Sequence, residues 1–474
     1  MSMSEVQFQT IRCGKSEFLL NGIHLLFVAV INFIALYTAP STGYVLLALN
    51  VVIYALFLIR LRDSGPLHLD IVFLLFLFIY SFSVPLSNSI SSRDYDQNLV
   101  RAAAETCMLS YAGYSLGLLL DSGKHRRTAS LHQISQRDSD VMRRSGMAVF
   151  FIGAISSVMA IVLTSGLSVY LSAGYAGRAL LKREVGPVEL GLYFSIVGLF
   201  GIFASTLLAT KSRPISKFFV AFVFLFFFFY ISFLGIRRPL FLLGLGLLAG
   251  YSLIKHRPKL ITALPIGIVA FAFLTTFAQY RQLISSAGLD ETIDFVRDNA
   301  SAEWFDVSNT ELGAPFRTLM DYMTLGLESN SLLPGESYIQ TLAYALPGFI
   351  TGGLQSLSVQ YTHLFFSADF ISIGGNMGLF PVTEAYLNFG PSGAFAVFVI
   401  FGFLLSKANR WFHAAGRIKP NHIILFMMLI PWCAFFMRLD MASFVKGFLY
   451  SQIVPLLIFQ YFNYLQRPSS RMRN

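Results

Sequence analysis

The sequence is poor in charge and in cysteine, and both shortages restrict what the chain can be. Asp, Glu, Lys and Arg make up only 13% of its 474 residues, about half the share of a typical soluble domain. Hydrophobic residues make up 55%, more than a soluble or disordered chain carries. We therefore exclude a soluble enzyme and a disordered protein.

Motifs of familiar soluble enzymes are missing as well. Three cysteines, Cys13, Cys107 and Cys433, are far apart, and their odd number and spacing predict neither a disulfide framework nor a zinc site. There is no P-loop, HExxH or GxSxG motif. ATP and nucleotide-sugar chemistry are therefore not expected, and we predict neither a metal nor a cofactor.

Long apolar runs, by contrast, recur along the whole chain, which contains 48 Phe. Many reach the roughly 20 residues that a helix needs to cross a bilayer. We predict an all-α polytopic membrane protein with about 12 transmembrane helices. The predicted spans lie near 18–38, 43–60, 69–87, 101–120, 146–168, 189–210, 218–236, 239–255, 260–279, 389–406, 421–438 and 444–465.

The distribution of basic residues orients these helices. Lys and Arg concentrate in alternate loops, such as 124–144 and 407–419, and short loops rich in Lys and Arg mark the cytoplasmic side. The net charge of +10 is thus explained by topology, and nucleic acid is not expected as a partner. Both termini are predicted to be cytoplasmic.

A long loop over 280–388 is predicted on the outer face. It contains many of the acidic residues, and helical patterns around 315–330 and 337–347 indicate a small folded cap. The predicted division is therefore helices one to nine over 1–279, the loop over 280–388, and the last three helices with the tail over 389–474.

Several basic residues break the charge rule because they lie on the predicted outer face. Four arginines end spans there, Arg237, Arg238, Arg281 and Arg438, and Arg178, Lys182 and Arg183 lie in the outer loop 169–188. Arginine binds phosphate through paired hydrogen bonds and stays charged, so a cluster at one height fits a lipid-linked phosphate. Snorkelling to headgroups, or a basic interfacial helix on anionic lipid, is the alternative.

Two carboxylates are further candidates for functional residues. Glu384 lies in GNMGLFPVTEAYLNFGPSG, where the outer loop re-enters the membrane. It can act as a general base, bind a sugar hydroxyl, or pair with an arginine. Asp440 follows Arg438 in MRLDMASF, where a structural ion pair and a functional role are equally consistent with the sequence.

Taken together, these motifs resemble those of the Wzy-type polymerases of O-antigen and similar repeat units. The resemblance rests on LGIRRPL, AQYRQ, NTELGAPFRTLMDYM, YALPGF, GNMGLFPVTEAYLNFGPSG and FFMRLDMASFV in this order. It implies a GT-C-like architecture in the bacterial inner membrane with a periplasmic active site. It also implies transfer of a growing glycan from undecaprenyl pyrophosphate to a new carrier-linked unit, with membrane lipids and a chain-length regulator as partners.

The resemblance also implies roles for particular residues. It implies that arginines bind the pyrophosphate, namely Arg237, Arg238, Arg281, Arg438 and Arg317. Related O-antigen ligases have a histidine where this sequence has Asn376, which we keep as a substrate-binding candidate. That departure favours a polymerase over a ligase, and Glu384 is the predicted base. A flippase is the third alternative, but it would place its cations in a central cavity between short loops.

Overall fold

The computed structural model describes residues 3–37, 40–62, 67–91, 96–121, 136–164, 186–209, 221–223, 225, 227, 237–254, 313–325, 334–351, 353–372, 378–414 and 420–466. Throughout these residues the regular secondary structure is helical. The prediction of an all-α protein is therefore confirmed.

We number the helices in chain order. They are α1 (Met3–Tyr37), α2 (Pro40–Arg62), α3 (Leu69–Ser91), α4 (Gln97–Asp121), α5 (Gln136–Thr164), α6 (Gly186–Leu208), α7 (Arg237–Ile254), α8 (Ala314–Thr324), α9 (Glu336–Tyr344), α10 (Gly348–Thr351), α11 (Leu357–Phe365), α12 (Ala368–Ser372), α13 (Pro381–Ala414), α14 (Pro420–Phe436), α15 (Met441–Phe448) and α16 (Val454–Leu465). A π-helical turn, Leu449–Ile453, joins the last two helices.

Five helical segments in the described part of the chain are long and apolar enough to cross a membrane. They are Leu69–Leu86, Gln136–Leu163, Leu190–Leu208, Pro381–Phe412 and Met441–Leu465. Shorter apolar helices lie at Ser16–Asn32, Gly43–Ile59, Arg238–Ile254 and Asn421–Phe436. The protein is therefore a polytopic membrane protein, and the number of twelve spans stays a prediction. The predicted span 260–279, and most of 218–236, lie outside the described residues.

Helices α4 and α13 approach each other closely because glycines lie where they cross. A Cβ atom on Gly117 would collide with the carbonyl oxygen of Val399, and one on Gly402 would collide with that of Tyr114. Small residues allow such close packing between membrane helices. A buried ion pair between Arg410 and Asp121 joins the same two helices near one end.

We expect Gly117→Val to destabilise the protein by about 1–3 kcal/mol, because overpacking forces the two backbones apart. The measurement is the thermal unfolding midpoint in detergent. Gly244→Val is the matched control, since a Cβ atom on Gly244 meets nothing within 4 Å. An equal midpoint for the two variants would contradict the tight crossing.

Helix α14 lies between two apolar cores. Ile430 and Cys433 belong to the core formed mainly with α1–α4 and α13. Met428 and Trp432 belong to the core formed with α5, α6 and α7. The end of α14 therefore holds the following helix, α15, against both halves of the molecule.

Shorter helices gather around the start of α13. Helices α8 and α9 lie where the sequence predicted helices, around 315–330 and 337–347. Helix α13 is interrupted at Gly390, whose φ of 70° and ψ of −166° favour glycine. The interruption adjoins the predicted boundary between 388 and 389, but the division of the chain into 1–279, 280–388 and 389–474 stays a prediction.

Candidate functional site

The candidate site is built around the N-terminus of α15, where Asp440 is the capping residue. One carboxylate oxygen accepts the backbone N–H of Ser443 at 2.6 Å. The other accepts the N–H of Ser358, in the first turn of α11, also at 2.6 Å. Helix N-termini favour negative charge, and here two of them meet on one carboxylate with no solvent exposure.

These contacts make Asp440 a link between α11 and α15. The ion pair with Arg438, which the sequence left open, stays a prediction. Charge-assisted hydrogen bonds to backbone N–H groups are about twice as strong as neutral ones. Asp440 therefore has a clear structural role, in addition to any part it takes in binding.

We expect Asp440→Asn to lower the free energy of unfolding by about 1–3 kcal/mol, because the new amide would face an N–H donor and leave it unpaired. The measurement is unfolding of the purified protein in a detergent titration. Asp140→Asn is the control, since Asp140 forms only an exposed ion pair with Arg143. Similar stability of both variants would show that Asp440 does not link the helices.

Glu384 lies in the first turn of α13 and is 1% exposed. Its Oε2 accepts the N–H of Met441 at 2.7 Å, and its Oε1 accepts the hydroxyl of Ser337 at 2.7 Å. The Asn388 side-chain amide donates to the Ser337 oxygen at 2.7 Å. This chain of hydrogen bonds fixes the orientation of Glu384, as a positioned proton acceptor requires.

Glu384 and Asp440 line the same cavity of about 240 Å³. The remaining lining residues come from α9, the segment before α11, and α15: Ser337, Gln340, Tyr344, Leu354, Gln355, Ser356, Leu357 and Ala442. This volume includes space open to solvent, and the enclosed part is about the size of one water molecule. The cavity therefore suits a single hydroxyl group.

A cation lies against Tyr344, one of the residues that line this cavity. The Lys446 ammonium lies 4.4 Å from the centre of the Tyr344 ring, a favourable cation–π arrangement. Burial and the nearby carboxylate of Asp440 raise the pKa of Tyr344, while a hydrogen bond to Ser356 opposes the shift. The same two causes, burial first and Asp440 second, raise the pKa of Tyr322 to about 12. Both phenols therefore stay protonated at neutral pH.

Arg238 lies at the other end of α15. Its guanidinium carbon is 4.4 Å from the Trp432 ring centre, 5.4 Å from that of Phe435 and 5.9 Å from that of Tyr193. Its Nε and Nη2 atoms are buried and have no hydrogen-bond partner among the described residues. Aromatic faces stabilise such a cation only partly, so these two N–H groups are available to an anion.

The two parts of the site share α15. Nη2 of Arg238 lies 3.1 Å from where a Cβ atom on Gly447 would be, and the N–H of Met441 donates to Glu384. Six residues along a helix correspond to about 9 Å. Along the helix axis, the buried carboxylates and the desolvated arginine are therefore separated by about the length of a small polar molecule.

The predicted motifs around Glu384 and Arg438 also meet. A Cβ atom on Gly378 would collide with the carbonyl oxygen of Arg438. The next residue, Leu379, donates its N–H to the Ser358 hydroxyl at 3.2 Å. The segment GLFP therefore runs directly beside the RLD turn, so that both predicted carboxylates reach one cavity.

Arg317 lies apart from this cavity, on α8. The structure places its charge near Asp321 and Tyr361, whose hydroxyl donates to Asp321 at 2.5 Å. Burial raises the pKa of Asp321, and the Tyr361 hydrogen bond and the Arg317 charge oppose that shift. The Arg317 charge thus offsets part of the effect of burial on Asp321.

The remaining predicted residues fall outside what the structure describes. Arg237 begins α7, but its side chain is not among the described ones. The others are Arg178, Lys182, Arg183, Arg281 and Asn376. Their roles stay predictions.

Sequence reasoning missed the polar residues that complete the cavity. Ser337, Gln340 and Tyr344 lie at positions i, i+3 and i+7 of α9. That spacing places them on one helix face, a signal present in the sequence. A polar stripe in a loop is usually solvated, whereas here Ser337 is buried.

The fold and the site together define a helical membrane protein. Its buried polar cavity lies between α9, the start of α13 and the start of α15. A family model, that of the O-antigen polysaccharide polymerase Wzy, matches residues 22–467. The chain belongs to this family and is thus a repeat-unit polymerase of polysaccharide biosynthesis, as the motifs indicated. No curated protein and no solved structure matches it.

Proposed function

We propose that the protein joins repeat units carried on undecaprenyl pyrophosphate, at the periplasmic face of the inner membrane. The growing glycan leaves its carrier and is transferred to a new carrier-linked unit. The family match supports polymerisation. The observation that carries the mechanism is the placement of Glu384 at a buried cavity, with Arg238 at the far end of α15, where its Nε and Nη2 have no hydrogen-bond partner among the described residues.

In this reaction a hydroxyl oxygen of the acceptor sugar attacks the anomeric carbon of the donor glycan. The bond from that carbon to the pyrophosphate oxygen breaks, and the pyrophosphate takes the electron pair. Glu384 accepts the hydroxyl proton, since its carboxylate is fixed by Met441 and Ser337. A base positioned in this way contributes typically 10²–10⁴-fold.

The departing pyrophosphate develops negative charge, which preorganised cations stabilise. Arg238 suits this role because its free N–H groups are already desolvated. We propose that the other predicted cations complete the anion site: Arg237, Arg281 and Arg438, with Arg178, Lys182, Arg183 and Arg317 further along the lipid-linked substrates. Asn376 and Asp440 are proposed contacts to the sugars. A pyrophosphate leaving group needs little protonation, so the scheme requires no metal.

This reaction fits the predicted topology. With both termini cytoplasmic, the start of α13 and the RLD turn face the periplasm, where a chain-length regulator would also act. A membrane-impermeant label should therefore reach a cysteine introduced in the loop 280–388 of intact cells with a permeabilised outer membrane. Labelling only after the inner membrane is opened would contradict this orientation.

The proposal is tested by a gel of the surface glycan from a strain without the protein, beside the complemented strain. Loss of the ladder, with a single repeat unit left on the lipid core, is the expected result. Loss of all attached sugar while carrier-linked polymer accumulates would identify a ligase instead. Carrier-linked single units trapped on the inner leaflet would identify a flippase.

A further inference from the structure

Helix α9 has its polarity reversed relative to a helix at the surface of a soluble protein. Ser337 and Thr341 face inward and are buried, 5% exposed each. Ile339 and Leu342 face outward and are 70% and 77% exposed. A water-facing helix would place its apolar side inward and its polar side outward. The outer face of α9 is therefore suited to hydrocarbon rather than to water.

The apolar surface continues beyond the helix. Leu346 and Ile350, on the segment leading through α10, are 46% and 58% exposed. Exposed apolar side chains of this size mark contact with a membrane or with a partner of similar chemistry. We call Ile339, Leu342, Leu346 and Ile350 the α9 surface.

Helix α9 lies beside the start of a candidate membrane span. Tyr344 of α9 contacts Lys446 of α15, and Met441–Leu465 is a membrane-length apolar segment. Lys446 is five residues into that segment, about 8 Å along the helix. Tyr344, and with it the adjoining α9 surface, therefore lies beside the first turns of a candidate span.

Helix α9 thus separates two environments. Ser337 and Gln340 of its inner face line the cavity with Glu384, while its outer face is apolar, and a helix with side chains is only about 10 Å across. A lipid-linked sugar joins a polar head to a hydrocarbon chain and must cross such a boundary. The α9 surface and the cavity are close enough to hold the two ends of one molecule.

We propose that the α9 surface is the docking site for the isoprenoid chain of the lipid-linked substrate, whose sugar lies at the mouth of the cavity behind the helix and places a hydroxyl in it. This inference rests on the proposed function. It adds a binding surface of defined chemistry, and it assigns to α9 the role of dividing hydrocarbon from sugar at the site.

Photocrosslinking tests the proposal in native membranes. Leu342 is replaced by benzoylphenylalanine, and the isoprenoid part of the carrier-linked repeat unit is radiolabelled. Leu457, 57% exposed on α16, receives the same replacement as the control for contact with bulk lipid. We expect the Leu342 derivative to capture several-fold more labelled carrier than the Leu457 derivative, and an excess of unlabelled carrier-linked unit to compete.

Three results would overturn the proposal. Equal capture at both positions would mean ordinary lipid contact. Capture of another protein at Leu342 would mean a protein interface. If the Leu342 derivative captures neither lipid nor protein while the Leu457 derivative captures lipid, water covers the α9 surface.

A second measurement separates this inference from the proposed chemistry. Leu342→Asn should raise KM for the lipid-linked unit roughly tenfold, because apolar contact is lost, while kcat is retained. Unchanged KM would contradict docking. In a Glu384→Gln background, crosslinking at Leu342 should persist without turnover. Persistent crosslinking together with full turnover would contradict the role of Glu384 but would still support the docking surface.

Discussion

Glu384→Gln is expected to abolish visible polymer and to lower the polymerisation rate by about 10²–10⁴-fold, the usual contribution of a general base. Glutamine has nearly the same shape, and its carbonyl oxygen can still accept one of the two hydrogen bonds from Met441 and Ser337. It cannot accept a proton from the acceptor hydroxyl. The measurement is the rate of chain growth on purified carrier-linked units, with the glycan ladder as a cellular readout.

The matched control is Glu336→Gln. Glu336 begins α9 only 48 positions before Glu384 in the chain but is solvent-exposed, and it accepts the side-chain amide of Gln340 at 2.7 Å. This variant should polymerise normally. Both proteins should be present in the membrane in equal amounts. A Glu384→Gln protein that makes ladders of normal length would rule out Glu384 as the base.

Arg238→Ala is expected to lower chain growth by about 10²–10³-fold, which is typical for removing one preorganised donor of developing negative charge. Arg238→Lys should recover only part of this loss. Lysine keeps the charge but loses the planar fork and the stacking on Trp432. The measurement is the same rate assay, with KM and kcat determined separately, because a transition-state contact lowers kcat and kcat/KM together.

The control for Arg238 is Arg101→Ala. Arg101 forms an exposed ion pair with Glu105 on α4, and pairs of this kind contribute at most about 1 kcal/mol. The Arg101→Ala variant should polymerise like the wild type. Full activity of Arg238→Lys would show that only charge matters, as for an arginine that merely reaches lipid headgroups.

The parts of the site differed in how well the sequence revealed them. Glu384, Asp440 and Arg238 each stand in a short motif with an ionisable residue near an apolar span, a pattern that is expensive in membranes and therefore informative. The sequence did not show how these three residues lie relative to one another. Glu384 and the N–H of Met441 are 57 positions apart, and no local pattern records such a contact.

Asp440 also shows that the sequence does not reveal contacts between distant residues. The sequence placed it two residues from Arg438 and suggested an ion pair, because neighbours in sequence are the only partners that a sequence displays. The folded chain also brings Ser358, 82 positions away, to its carboxylate. Asp is a preferred capping residue for the helix that follows it, but nothing in the sequence pairs it with an N–H group of another helix, so this partner could not be foreseen.

The sequence by itself determined that the chain is helical, apolar and built for a membrane, because helix formation and bilayer partitioning depend on residues close together along the chain. Its motifs also sufficed to indicate the polymerase family. Only the tertiary structure decided that α9 turns its polar side inward, that Asp440 joins two helix ends, and that two nitrogens of Arg238 find no partner in the described part of the chain. Each depends on which helices pack together, and that packing is set by contacts between residues far apart in the sequence.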